Sequence, residues 1–360
     1  MRPLRKLLKW GTLASLALIT LCIIPVTWVE TQCVKPRRVD SVPFHSLLPE
    51  NQRRNFVDTF LTYPEWAIVH SYEDFAAAIR DRGEAAFDYT GHIAGYWTNL
   101  CQVYGYATER GAMSLDVRAM LHVIGISFSA EMALKGLWEN TIGRLSALLS
   151  FGESPEDRFS YSISSEYASF LVQTPWYEYP FASRLASFWS STPFGISNPV
   201  RMIERRIALS MEWGVKALYA QGMGMLAGLS PSQLSMWSVV RNLDESDIVA
   251  VSRIKLVHRL PNGDSVIETP RYRAFTEILL DLTSRGGDFV EIAGNVEILV
   301  TVIVAPTTDL SAFGPTIISA QAQAWPGMER RGLLVPVVRL RELNKKLKEM
   351  GGRLEHAYDY

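Results

Sequence analysis

At 360 residues, with 48% apolar residues and 36 Lys and Arg against 37 Asp and Glu, the chain is too apolar to stay unfolded. Its length suggests about two domains, and its charge balance gives no reason to expect a nucleic acid partner. Three cysteines, Cys22, Cys33 and Cys101, are too few for a disulfide framework and none stands at metal-ligand spacing.

Residues 2–9 carry Arg2, Arg5, Lys6 and Lys9, and residues 10–29 are then free of charge. At a rise of ~1.5 Å per residue this run spans a hydrocarbon core of ~30 Å. It is long for the apolar region of a cleaved signal peptide, and no small-residue cleavage site lies near its exit, so a retained transmembrane anchor is expected. Leu21 and Gln32 are too large to precede a lipid-modified cysteine. The basic excess before the run favours the N-terminus inside a cell (inner) membrane and the body on its extracytoplasmic side, and Trp10 and Trp28 bracket the run as interfacial anchors would.

Beyond the linker, which ends at residue 44, the chain repeats itself. Ser129-Ala-Glu131-Met-Ala-Leu-Lys135-Gly-Leu-Trp138 is answered by Ser210-Met-Glu212-Trp-Gly-Val-Lys216-Ala-Leu-Tyr219. Upstream, Val117-Arg118 answers Val200-Arg201, residues 93–97 (IAGYW) answer 185–189 (LASFW), and Phe60-Leu61 answers Phe170-Leu171. Residues 45–243 are therefore expected to be a helical domain with two copies of one unit, about 45–140 and 150–225. Ser154-Pro155-Glu156-Asp157 predicts a capped helix start, and the prolines of 62–66 and 174–181 predict breaks crowded with aromatics.

Residues 119–138 and 207–228 are apolar enough to raise the question of a membrane crossing. Central charges cost about 2.5–3.5 kcal/mol each on an insertion scale, more than the apolar residues return, so unaided spanning is not expected. Gly125 and Ser129, and Ser210 and Gly214, form small-residue ridges for close helix packing. Glu131 and Lys135, and Glu212 and Lys216, project away from those ridges. They are either exposed ion pairs or the lining of one pseudo-symmetric polar cavity. His92 and His122 are the two histidines to consider beside them. No zinc, nucleotide, calcium or nucleophile-elbow motif is present, and no cofactor or metal is expected.

Past Leu243 the composition changes: nine of the ten Trp lie before Asp244-Glu-Ser-Asp247, which suggests a polar hinge. Strands are expected at 248–259, 265–269, 288–293, 296–304, 333–337 and 353–358, with a hairpin at 261–264 and another about Gly294-Asn295. Helices are expected at 272–285 and along Leu340, Leu343 and Leu347, each stopped by a Gly-Gly pair. Taken together, these elements give 244–360 the expected form of a ferredoxin-like α+β domain.

The expected protein is mostly α and membrane-anchored: anchor, duplicated helical body and α+β domain. The first functional expectation is an accessory or binding protein that meets membrane lipid and takes a protein partner or ligand through the C-terminal domain. The alternative is an enzyme on an amphiphilic substrate held between the duplicated halves, with Glu131 and Glu212 as acid and base, Lys135 and Lys216 stabilising charge, and His92 or His122 moving a proton. A small transport subunit is the third.

Overall fold

The computed structural model of the protein describes residues 23–37, 44–111, 113–195, 198–226 and 234–360. The basic segment 2–9, most of the run 10–29 and the expected helix start at Ser230-Pro231 lie outside the described residues. A helical body is followed by an antiparallel, two-sheet α+β region.

The body holds α1 (residues 23–32), α2 (Asp58–Leu61), α3 (Tyr63–Arg82), α4 (Tyr89–Arg110), α5 (Leu115–Trp138), α6 (Arg144–Leu148), α7 (Pro155–Leu171), α8 (Phe181–Ser191) and α9 (Pro199–Leu226). Local chemistry sets the boundaries. Ser154 gives α7 its expected capped start, with Asp157 completing a capping box, Asp88 caps α4 through the Gly91 amide, and Pro64 opens α3. A π-helical segment, Glu139–Gly143, joins α5 to α6. Although no framework was expected, Cys33 at the end of α1 is bridged to Cys101 in α4.

The matched segments make one matching contact. Trp97 of α4 donates its indole hydrogen to Ser129 of α5 at 2.8 Å, and Trp189 of α8 donates to Ser210 of α9 at 3.1 Å. Gly125 lets α4 approach α5 closely: a Cβ there would sit 2.6 Å from a Tyr96 ring carbon and 2.9 Å from Trp97. Ala133, which the ridge pattern would include, is exposed.

The α+β region contains β1 (Ser235–Arg241), α10 (Glu245–Val249), β2 (Lys255–Arg259), β3 (Ser265–Pro270), α11 (Arg273–Ser284), β4 (Asp288–Ile292), β5 (Glu297–Val304), β6 (Thr316–Gln321), β7 (Glu329–Pro336), α12 (Leu340–Glu349) and β8 (Arg353–Ala357). The α+β class holds, but the single ferredoxin-like sheet does not. Two four-stranded sheets form, in the orders β2-β3-β1-β4 and β6-β7-β5-β8. The composition break at Asp244 falls after β1, and Asp244 with Asp247 caps α10 instead of forming a hinge. Strands β4 and β5 are not a hairpin but enter different sheets, joined only by the Ile292–Asn295 bridge. The physical reason is that both edges of β5 are taken by β7 and β8, which leaves β4 none to pair with. The turn itself is closed by two Ile292–Asn295 backbone hydrogen bonds of 2.9 Å, and Arg54 docks on it, donating its amide to the Ala293 carbonyl at 2.9 Å and accepting from Asn295 Nδ2 at 3.1 Å.

The two sheets repeat one another. Ser235 faces Pro270 as Glu297 faces Pro336, and Val239 meets Glu291 as Thr301 meets His356, each just before a bulge. A second bulge recurs between Leu256 and His258 and between Thr316 and Ile318. Helices α11 and α12 both end in Gly-Gly. Gly286 and Gly351 take positive φ, and the Gly287 and Gly352 amides return to Leu282 and Leu347 at 3.0 and 2.8 Å.

Strand β5 shows why the parts hold together. Leu299 joins the core of the helical body, whereas Ile298, Val300, Val302 and Val304 join the core between the sheets and α11 and α12. Both faces of the second sheet are thus buried, with period-two alternation deciding which core each residue enters.

Gly125→Ala is expected to cost about 1–3 kcal/mol by forcing the Tyr96 and Trp97 rings aside. Gly95→Ala on α4, whose Cβ meets nothing within 4 Å, is expected to be neutral or to stabilise by up to about 1 kcal/mol. Thermal denaturation followed by circular dichroism compares the two.

Candidate functional site

The structure brings Glu131, Lys135, Glu212 and Lys216 into one cluster, and pairs them across the copies. Lys135 of α5 reaches Glu212 of α9 at 2.9 Å, and Lys216 of α9 reaches Glu131 of α5 at 2.8 Å. Lys216 also lies 3.2 Å from Glu212, so a within-helix pair forms in the second copy. Tyr72 of α3 donates to Glu131 and accepts from Lys216 at 2.8 Å. Aromatic faces cover the ammonium groups: Phe75 lies under Lys135 at 4.0 Å, and Tyr72 and Tyr167 flank Lys216 at 4.7 and 4.9 Å. The space between the halves is filled by its own ion pairs.

The two histidines do not join this cluster. His122 faces α1 from the opposite side of α5, where its Nε2 lies 2.8 Å from Glu30, which also pairs with Arg118 and accepts from Tyr104. His92 sits on α4, stacked on Phe87 at 4.4 Å, with its Nδ1 2.9 Å from Ser71 Oγ. It lines a cavity of about 240 Å³ between α3, α4, β6 and β7, together with Tyr63, Tyr96, Asn99, Gln321 and Arg330.

A larger polar network was not anticipated. Arg201, Arg205 and Arg206, near the start of α9, are all buried. Arg205 contacts Glu84 at 3.1 Å, Glu139 at 2.7 Å and Glu204 at 2.5 Å. Arg201 contacts Glu84, Asp157 and Glu204, and Arg206 contacts Glu156 at 3.0 Å. The π-helical segment turns Glu139 inward to reach Arg205. The signal was the spacing of Arg201, Glu204 and Arg205 on one face of a helix whose other face carries Ile203 and Ile207. Ordinary amphipathicity would place that charged face outside.

Beside the cavity, His70, Glu73 and Glu355 present three ligand atoms within 4.8 Å of one another. Glu355, however, accepts from Arg330 through both oxygens, at 2.6 and 2.8 Å. The guanidinium occupies the carboxylate and opposes a metal ion there, so the group acts as an ion-pair chain between α3 and β8. Burial alone would raise the Glu355 carboxyl, but the His70 and Arg330 charges outweigh it and hold it at about 2. Burial, with Arg330 adding to it, pushes His92 down to about 4.

Removing one partner of a reciprocal pair should cost more than removing both. Lys216→Met leaves Glu131 without its ammonium partner, while Glu212 keeps Lys135, and is expected to destabilise by about 3 kcal/mol. The double variant Glu131→Gln/Lys216→Met, which keeps the Lys135–Glu212 pair intact, should recover most of that loss in chemical denaturation.

His92 sets a pH dependence. Its folded value of about 4 lies below its ordinary 6.5, so between these pH values the unfolded chain binds the extra proton. The contribution is full above about 6.5 and falls as pH drops to about 4. His92→Gln should flatten that part of the stability–pH curve, measured by urea unfolding. Glu355 adds a second window, lost as pH falls from about 4.5 towards 2.

No protein-family model, curated protein or solved structure matches the chain, so its activity rests on what its own residues can do.

Proposed function

We propose that the protein is a non-catalytic, membrane-anchored binding protein, with the exposed faces of α5 and α9 resting in the bilayer and the α+β region acting as its ligand or partner module. The observation that carries this is the inverted amphipathicity of the two matched helices. Their charges point inward to the pairs described above, and their large apolar side chains point outward. Leu134, Leu137, Leu145 and Leu148 on α5 and α6, and Ile203, Met211, Val215 and Leu218 on α9, are each at least half exposed. A water-exposed monomer rarely shows so much contiguous apolar surface.

Length and surroundings favour lipid as the occupant. The continuous helical stretch Leu115–Leu148 is 34 residues, long and apolar enough to cross a membrane, and only 28% of its most apolar window is buried. Exposed Trp189, Phe194 and Tyr219 supply aromatics of the kind found at membrane interfaces. Helix α1, the described end of the expected anchor, is tied to this region by the disulfide and by Glu30 with Arg118 and His122. A disulfide also fits a body on the oxidising, extracytoplasmic side. Ion pairs fill the space between the matched helices, which leaves little room there for a substrate.

A chain beginning at residue 23 is expected to float with phospholipid vesicles. Leu134→Asp/Leu218→Asp should reduce that binding at least tenfold while leaving the thermal midpoint unchanged, because both side chains are exposed. If the shortened chain stays in the soluble fraction, the bilayer-facing assignment is wrong.

A further inference from the structure

The cavity at the seam of the helical body and the second sheet is walled by residues of α3 and α4 on one side and of β6 and β7 on the other. Such junctions between packed units are where small-molecule sites commonly form. The charged groups that reach its wall are already engaged. Arg330 gives its Nε and Nη2 to Glu355, His70 Nδ1 meets Glu73 at 3.1 Å, and the exposed Asp88 caps α4 through the Gly91 amide at 2.9 Å. Behind the wall, Asp74 stands 3.7 Å from Arg330, and Arg353 brings a second guanidinium towards Glu355. With each sign answered by the other, the cavity offers no bare charge to select an ion.

What the wall leaves unspent is neutral and of both kinds. Ser71 gives its hydrogen to the Ala67 carbonyl at 2.8 Å, so its oxygen accepts from His92 Nδ1 at 2.9 Å. The hydrogen of the neutral ring therefore sits on Nδ1, and Nε2 is an acceptor. Nε2 has no hydrogen-bond partner among the described residues, and unlike the sealed Asp74 oxygen 3.8 Å away it keeps accessible surface. Asn99 spends its carbonyl oxygen on the Ser319 amide at 3.4 Å, which leaves its amide nitrogen to donate, beside Tyr63. The rings of Tyr63 and Tyr96 add apolar wall. Donors and acceptors set among aromatic rings suit a ligand whose polar groups each donate and accept and whose C–H groups pack on a ring. We infer that the cavity binds one neutral monosaccharide, its hydroxyls donating to His92 Nε2 and accepting from Asn99 Nδ2, and its C–H groups resting against Tyr63 and Tyr96. At about 240 Å³ the space equals roughly eight waters of about 30 Å³, room for one pyranose ring. None of these residues lies on α5 or α9, so the site stands independently of the bilayer assignment.

Calorimetric titration of the full-length protein in a sugar-free detergent tests this with D-glucose, D-galactose and D-mannose, and with D-glucosamine and D-glucuronate as charged counterparts. At least one of the neutral sugars should bind saturably, one per chain, and both charged counterparts at least tenfold more weakly. His92→Phe, which keeps a ring to stack on Phe87 but removes the Nε2 acceptor, should weaken the bound sugar at least tenfold. Gly95→Leu provides a second variant that leaves every polar group in place: Gly95 lines the cavity, and a Cβ there meets nothing within 4 Å. The leucine should fill the space and abolish sugar binding without lowering the thermal midpoint. Absence of saturable binding by all three neutral sugars, equal or tighter binding of either charged counterpart, or undiminished binding by the Gly95→Leu or His92→Phe protein would each overturn the proposal.

Discussion

Charge buried inside the helical body is the constraint on which its arrangement depends. Three arginines of α9 have left water, and each is tolerable only where acids meet it with good geometry. Those acids come from separate places: Glu84 before α4, Glu139 in the π-helical segment after α5, and Glu156 and Asp157 at the start of α7. Satisfying Arg201, Arg205 and Arg206 therefore fixes the relative positions of these elements more tightly than apolar packing would, since an ion pair fails with a small displacement whereas leucines can repack. With the charges inside, the apolar side chains of α5 and α9 are left facing out.

Matched contacts recur in both halves of the molecule. In the body, the cross-pairing of Lys135 with Glu212 and Lys216 with Glu131 has the logic of a two-fold interface within one chain: each copy offers the other the same two charges. In the α+β region the repetition extends to strand order, register and bulge position. Where the copies differ, function has room to settle. Helix α4 has 22 residues and packs against β6, whereas its counterpart α8 has only 11. At the position matching His92, the second copy carries Arg184, which lies at the surface with Glu166. The seam cavity consequently belongs to one copy alone.

That seam joins the two cores. Thr59 of α2 donates to the Tyr358 carbonyl at 2.6 Å and accepts from the Leu299 amide at 3.1 Å, tying the body to β5 and the segment after β8. Trp66 stacks on His356 at 3.5 Å, and burial keeps that ring well below the ordinary histidine range, hence neutral. Polar groups confined at such a junction must be matched almost completely, which is why the unmatched Asp74 oxygen stands out.

Local chemistry was legible from residues alone: the capped start of α7, the proline-opened α3, the Gly-Gly stops of α11 and α12, and the helical repeat marked by Glu131-Lys135 and Glu212-Lys216. These follow from short-range sterics and hydrogen bonding, which sequence spacing encodes directly. The repeat within the α+β region was also written there, in Phe275, Ile278, Leu282 and Gly286-Gly287 against Leu340, Leu343, Leu347 and Gly351-Gly352, but reading the elements as one sheet concealed it. Only the tertiary structure decided which way the charged faces of α5 and α9 point, that the four matched charges pair across the copies, and that His92 and His122 belong to other neighbourhoods. A helical repeat specifies which residues share a face, and the partners supplied by distant elements specify whether that face is inside. For Arg205 those partners lie as far away in the chain as Glu84, and no spacing within α9 could announce them.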